Sequence, residues 1–258
     1  MRKAYPSDIT DEQWSIIEPI VNIQNTMGRS RKTDMREVVN ALNYIGKSGC
    51  QWDMIPHDFP PRSTVHYHFL RLRNEGSFEE VNRIAVGESR KQMGREEEPT
   101  AAVIDSQSSQ SINICEDVGY DAAKGVKGRK RHIGVDVKGH LLAVKVHAAN
   151  ISERAGAKLL LPILSAWFCF LSIIFADGGY AGAAMIEWAM QECFMKFQVI
   201  KRPRKKFQIV KFRWVVERTF AWLLTNRRLS KSYERYPESE EAWIYFCAGM
   251  MTLRRITS

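Results

Sequence analysis

Cysteine pairing is absent from this chain: Cys50, Cys115, Cys169, Cys193 and Cys247 are scattered, odd in number and without a Cys-x-x-Cys pair. That argues against a disulfide framework and a thiolate zinc site, and sets the expectation of a reducing, cytoplasmic compartment. No apolar run precedes the first polar helix, since Met1-Arg2-Lys3-Ala4-Tyr5-Pro6-Ser7-Asp8 leads straight into it, so no secretory leader is expected. A phosphate-binding P-loop, a dinucleotide fingerprint and a nucleophile elbow are all missing, which argues against ATP-driven and covalent-serine chemistry. The histidines form no metal motif: His66-x-His68 falls on a predicted helix, where such spacing diverges, and His57, His132, His140 and His147 are dispersed. One uncharged run, residues 159–176, reaches the lower length limit of a membrane span. Pro162 interrupts it and Ser165 and Ser172 dilute it, so it reads as a helix end followed by a short buried strand, and no membrane partner is expected.

What is present is positive charge. With 38 Lys plus Arg against 29 Asp plus Glu, the net charge is +9, which favours a polyanionic partner such as nucleic acid. The first 90 residues read as helices. Thr10-Asp11-Glu12-Gln13 has the form of a capping box, a second helix opens near Thr33-Asp34 and stops at Gly46 and Gly49, and a third follows the Pro60-Pro61 turn. Ser77 with Glu80 opens a fourth. With Arg71, Arg73 and Arg83 exposed, this unit reads either as a helix-turn-helix-like DNA reader or as a plain helical cap. The charge-rich stretch from Gly87 to Pro99 lacks apolar periodicity, which places a linker at residues 91–99.

From residue 100 to 258 the rhythm changes. Ala101 to Ile104 is a short buried strand, Arg131 to Val137 and Leu141 to His147 form a hairpin about Lys138-Gly139, and Glu153 to Leu164 is helical. Strands at Leu171 to Ala176 and Phe197 to Ile200 alternate with helices at Ala181 to Glu192 and Phe212 to Leu224. This order predicts an α/β layer with a mixed sheet.

Three acids stand at the ends or edges of apolar segments: Asp105 after Val103-Ile104, Asp177 after Ile174-Phe175-Ala176, and Glu217 within Trp214-Val215-Val216-Glu217. A carboxylate in apolar surroundings loses hydration worth several kcal/mol unless a partner offsets it, and divalent cations shared by such a cluster would do so. If the strands ending in Asp105 and Asp177 are parallel and adjacent, both side chains meet at the carboxyl edge of the sheet. At about 100° per residue, Glu217 falls at the border of the stripe Val216, Phe220, Leu223 and Leu224; taken alone it fits an ion pair with Arg213 equally well. Asp136 also ends an apolar run, but its hairpin position delivers it to the opposite sheet edge, a structural place. Gly178-Gly179 reads as a close phosphate approach, a tight turn or both.

Basic residues cluster beside these strands. Lys124, Lys127, Arg129, Lys130 and Arg131 form one group and Lys201, Arg202, Arg204, Lys205 and Lys206 another, placed for phosphate contacts. Arg213 and Arg218 flank Glu217 on its helix and are counted with them, and Trp214, Trp222 and Tyr233 are candidates for base stacking or for the core.

Read together, Gly49-Cys50-Gln51-Trp52, Asp58-Phe59-Pro60-Pro61, Ile104-Asp105-Ser106-Gln107-Ser108, Lys127-Gly128-Arg129-Lys130-Arg131-His132, Ala176-Asp177-Gly178-Gly179-Tyr180 and Arg213-Trp214-Val215-Val216-Glu217-Arg218 resemble the Asp-Asp-Glu insertion-sequence transposases, specifically the insertion sequence five family. The resemblance runs nearly end to end. It implies a ribonuclease-H-like mixed sheet flanked by helices, behind an N-terminal all-helical DNA-binding domain. It implies Asp105, Asp177 and Glu217 as a catalytic triad holding two Mg²⁺ ions, with Mn²⁺ as a substitute, and phosphate contacts from Arg227, Arg228 and Lys231. The expected partners are double-stranded DNA, both inverted repeats and target, and further copies of the chain in a homodimer or higher homo-oligomer, without ATP. The expected chemistry is hydrolysis at element ends and joining by direct attack. Trp167-Phe168-Cys169-Phe170 and Lys211-Phe212 depart from the family pattern, which keeps open two rivals: a DNA-binding protein without catalysis, and a structure-selective nuclease without strand transfer.

Overall fold

The computed structural model describes residues 2–23, 32–200 and 213–257. Helices begin where side chains satisfy the first free backbone N–H groups. Thr10 and Gln13 cap each other reciprocally at α1 (Asp11–Val21), as the sequence predicts. Asp34 accepts from the Arg36 N–H at the start of α2 (Met35–Ser48), and Gly49, at φ 71°, ends it. Gly46 does not stop this helix: a Cβ there would meet Cys247 Sγ at 3.2 Å, so its small size serves close packing. α3 (Arg62–Asn74) follows the Pro60-Pro61 turn, and α4 (Ser77–Gln92) runs past the expected boundary at residue 90.

Strands β1 (Ala101–Gln110), β2 (Gly119–Asp121), β3 (Val126–Asp136), β4 (Leu141–Ala148), β5 (Ile173–Ala176) and β6 (Lys196–Val199) form one mixed sheet. β1 lies centrally, antiparallel to β3 and parallel to β5, with β6 parallel beyond β5 and both β2 and β4 on the far side of β3. β1 and β3 are much longer than expected, and β2 was not anticipated. Their extensions are polar, Ser106 to Gln110 against Gly128 to His132, and so carry little apolar signal; the ladder between them is nonetheless continuous.

Alternation along β1 divides the core. Ala102 and Ile104 join the core under α5 (Glu153–Trp167) and α6 (Ala183–Cys193), whereas Val103 joins the one under α7 (Arg213–Leu223) and α8 (Pro237–Ile256). α5 continues through Pro162 to Trp167. The departing segment after it is accommodated: Trp167 packs on Tyr245 with ring centroids 5.8 Å apart, and Phe168 is buried.

α8 is absent from the sequence reading for a physical reason. Trp243, Ile244, Phe246, Cys247 and Met250 are all buried, so the helix is apolar round most of its circumference and shows no amphipathic stripe. Trp243 stacks on Phe69 of α3 at 4.9 Å, so α8 shares a core with the N-terminal helices. Of the three arginines expected on a DNA-reading surface, Arg71 donates to the Val21 carbonyl and Arg73 to Ser239, both half-buried, whereas Arg83 is exposed in a surface pair with Glu80. Among the described residues no helix is long and apolar enough to cross a membrane.

Candidate active site

On the parallel pair, Val103 stands level with Phe175. Asp105 stands two residues beyond this pair on β1 and Asp177 just past the end of β5, and the two acids line one small cleft. Strand alternation puts Asp105 on the face of Val103, and the cleft is lined by Val103, Ile104, Asp105, Ala176, Asp177, Ile200 and Val216 of α7. Asp177 accepts from the Gly179 N–H at 2.8 Å and opens a single 3₁₀ turn, Gly178–Tyr180, so the glycines do form a tight turn. Asp105 accepts from the Ser106 N–H at 2.8 Å. Burial, reinforced by the charges of Asp177 and Glu153, pushes the Asp105 carboxyl up to about 6, against the lowering pull of the Ser106 N–H and Lys124.

Glu217 follows Val216 on α7; Val216 and Phe220 are buried and Glu217 itself is exposed, on the solvent side rather than at the border of the apolar stripe. Among the described residues no three His, Cys, Asp or Glu side chains are gathered as ligands of one metal ion. Asp105 and Asp177 are therefore brought together, and Glu217 stands beside their cleft without closing a three-carboxylate group. The pair fits a hard divalent cation: both offer carboxylate oxygens, and a cation would relieve the like-charge pressure on Asp105.

Asp136 lies at the other sheet edge, level with Ala102. It is fully buried, 2.6 Å from Arg90 Nη1 and 3.1 Å from His140 Nδ1. Although burial pushes its carboxyl up, His140, the local backbone N–H groups and Arg90 hold it down at about 2. Its place is structural, as expected.

A further carboxylate, outside the sequence-predicted set, lies behind the cleft. Glu153, the first residue of α5, accepts from Ser106 Oγ at 2.5 Å, from the Tyr180 hydroxyl at 3.1 Å and from Lys130 Nζ at 3.2 Å. His132 Nε2 lies 3.1 Å away, and its other ring nitrogen meets His147 at 2.8 Å. Burial pushes the Glu153 carboxyl up, but His132, Ser106 and Lys130 outweigh it and hold the group well below the usual range. The signal that could have found it is alternation on β3, which puts Lys130 and His132 together on the α5 face and calls for an acid opposite them.

The same alternation breaks up the expected DNA-facing cluster, and the correction is residue by residue. Arg129 is wholly buried, donating to the carbonyls of Glu116, Glu234 and Arg235 and to Glu240. Arg131 is buried against Glu240 at 2.6 Å, and Lys130 is buried on Glu153. Arg228 is buried and paired with Glu234. Arg218 lies between the rings of Trp214 and Trp222, 4.3 Å from each centroid, and donates to the Lys138 carbonyl at 2.6 Å. Arg129, Lys130, Arg131 and Arg228 are taken up inside the fold, and Arg218 is half-buried at the surface. Lys127, Arg227 and Lys231 are exposed. Lys201 and Arg202 lie outside the described residues, as does the Arg213 side chain.

Residues 97–253 match the family described as "Transposase DDE domain". The chain belongs to the DDE transposases. Residues 9–82 match a second family, described as "Putative transposase of IS4/5 family", so the helical N-terminal part is itself similar to insertion-sequence transposases. The chain is 30% identical over 142 residues to a Burkholderia cepacia protein named "Putative transposase for insertion sequence element IS402", a match covering 50% of this chain and 65% of that relative. Membership assigns the ribonuclease-H-like fold to the mixed sheet: a central β1 between an antiparallel and a parallel neighbour, with helices on both faces.

Proposed function

We propose that this transposase binds the terminal inverted repeats of its insertion sequence, cleaves DNA strands there and joins the freed ends to target DNA, with Asp105, Asp177 and Glu217 as its catalytic residues. The observation that supports the reading is that Asp105 and Asp177 line one cleft beyond the end of the parallel β1–β5 ladder, with Asp105 buried and under like-charge pressure. Asp105 and Asp177 would hold divalent cations, Mg²⁺ or Mn²⁺, with Glu217 as the further ligand from α7. Two such ions, when bound, supply Lewis-acid stabilisation of the charge that develops on phosphate oxygens. The protein's own part is to exclude water through Val103, Ile200 and Val216 around the acids, and to hold Asp105 and Asp177 through the Ser106 and Gly179 N–H groups. Lys127, Arg227 and Lys231 are exposed and suited to phosphate contacts; Lys201, Arg202 and Arg213 carry the same assignment from the sequence alone. Pairing of two ends calls for at least a homodimer.

The test is strand cleavage on a duplex carrying the element's terminal inverted repeat, with Mg²⁺ and with EDTA. Cleavage by the unaltered protein in Mg²⁺ only, and its loss in Asp105→Asn with end binding retained, is the expected result. Cleavage by Asp105→Asn at the parent rate would overturn the triad assignment.

A further inference from the structure

We propose that Glu153 is the positioning residue of this site: its carboxylate ties the strand beside Asp105 to the turn beyond Asp177 and so holds the two acids together at their cleft. The inference rests on the reading of Asp105 and Asp177 as the reactive pair.

The β-ladder between β1 and β5 is short, ending at Val103 and Phe175, two residues before the acids it must align. Beyond that point the two chains need another tie. Glu153 supplies it with one oxygen: Oε2 accepts from Ser106 Oγ at 2.5 Å on β1 and from Tyr180 OH at 3.1 Å on the 3₁₀ turn that Asp177 opens. Ser106 follows Asp105 directly, and Tyr180 stands three residues after Asp177. Tyr180 is itself buried, so its hydroxyl has a fixed place. A third anchor comes from β3, where Lys130 Nζ donates to Oε1 at 3.2 Å and His132 Nε2 lies 3.1 Å from Oε2. Alternation places Ser106, Lys130 and His132 on the α5 face and Asp105 on the α7 face, so Glu153 holds the site from behind the sheet while the reacting groups approach from the front. Gly156, one turn along α5, lets the helix come this close: a Cβ there would meet His132 Cε1 at 2.2 Å. A charged acceptor with two hydroxyl donors and an ammonium in a low-dielectric setting forms a network in which removing one member loosens the rest.

The experiment uses the full chain and three variants, Glu153→Gln, Tyr180→Phe and the double variant, in three measurements. The first is the amide spectrum: the Ser106 and Gly179 N–H groups donate to Asp105 and Asp177, so both resonances are expected to move in Glu153→Gln and in Tyr180→Phe. The second is calorimetric binding of Mn²⁺, expected to weaken roughly tenfold in Glu153→Gln and several-fold in Tyr180→Phe, and by no more than Glu153→Gln alone in the double variant. The third is cleavage at saturating Mg²⁺, expected to fall at least tenfold in Glu153→Gln with end binding unchanged. Parent-like Mn²⁺ affinity and unmoved Ser106 and Gly179 resonances in both single variants would overturn the proposal. Complete loss of Mn²⁺ binding in Glu153→Gln, equal to that of Asp105→Asn, would also overturn it by making Glu153 a ligand. If the unaltered protein neither cleaves nor binds Mn²⁺, the functional reading fails, and the amide shifts still decide whether Glu153 couples the two segments.

Discussion

Lys130 and Arg131 are neighbours in the chain and serve opposite faces of the sheet: Lys130 donates to Glu153 of α5 at 3.2 Å, and Arg131 to Glu240 of α8 at 2.6 Å. Arg129 shares Glu240 with Arg131, so one buried carboxylate is paired with two buried guanidinium groups. Glu240→Ala would leave both cations without their acid. Breaking a buried pair from one side costs about 3 to 5 kcal/mol, enough to unfold much of the population of an ordinary domain. Urea unfolding should show the midpoint falling accordingly, or little folded protein. A midpoint within experimental error of the parent would mean that α8 is not held to β3 through this acid.

Lys127, Arg227 and Lys231 should behave in the opposite way. They are exposed, so changing each to Ala should leave stability within about 0.5 kcal/mol while weakening DNA binding. Each lost phosphate contact reduces the slope of log affinity against log salt by about 0.9, and a titration of a DNA duplex at several salt concentrations reads this directly. Affinity unchanged in the triple variant would move the DNA surface elsewhere on the protein.

Asp105 gives a pH dependence with a definite sign. Its carboxyl rises from 3.8 to about 6 on folding, so between those values the folded state binds more protons than the unfolded one, and stability falls as pH rises. Asp105→Asn removes that term. Without divalent metal, the variant should match the parent near pH 4 and exceed it by on the order of 1 to 3 kcal/mol at pH 7. Mg²⁺ should then stabilise the parent and not the variant. A parent more stable than Asp105→Asn at pH 7 in EDTA would show that the carboxylate is not under the strain inferred for it.

How much of this could be read from the chain depends on where apolar periodicity survives. The capping box at Thr10, the stop at Gly49 and the parallel pairing of the strands that lead to Asp105 and Asp177 are legible, because caps, turns and buried parallel strands leave local marks. The polar halves of β1 and β3 were not, since Ser106 to Gln110 offers nothing to a hydrophobic pattern and is ordered by its ladder and by Glu153. α8 was lost for the opposite reason, being buried on nearly every side. The basic run at 129–131 reads as one cluster along the chain, but strand alternation sends Lys130 to one face of β3 and Arg129 and Arg131 to the other. Glu153 carries only the local mark of a helix start, because its donors come from three separate elements that no local window joins.

Asp136 should mark the acid limit of the fold. Its carboxyl is held at about 2, so the stability it contributes is present above its unfolded value of 3.8 and is lost as pH falls towards 2. Asp136→Asn should remove that dependence and leave Arg90 buried without its acid, at a cost of about 3 to 5 kcal/mol. Acid unfolding followed by circular dichroism would separate the two proteins: a parent transition as shallow as that of the variant would show that this carboxyl does not set the limit.

Gly128 is the position where the long ladder tolerates no side chain. It is level with Gln110 on β1 and with Gly119 on β2, and a Cβ would lie 1.9 Å from the Ser109 carbonyl oxygen and 2.9 Å from the Ser111 nitrogen. Both are backbone atoms, so neither can swing aside as a flexible side chain does. Gly128→Ala should therefore push the end of β1 away from β3, with a loss of about 1 to 3 kcal/mol and faster hydrogen exchange at Ser109 and Ser111. Gly125→Ala is the control, because Gly125 faces open space and has a φ of 64°. That variant carries only the backbone strain of the left-handed region, about 1 kcal/mol, and should leave exchange in β1 unchanged. If the two variants lose equal stability and protect β1 equally, the close approach of the strands at Gly128 does not hold, and the ladder behind Ser106 and Glu153 ends earlier than the structure places it.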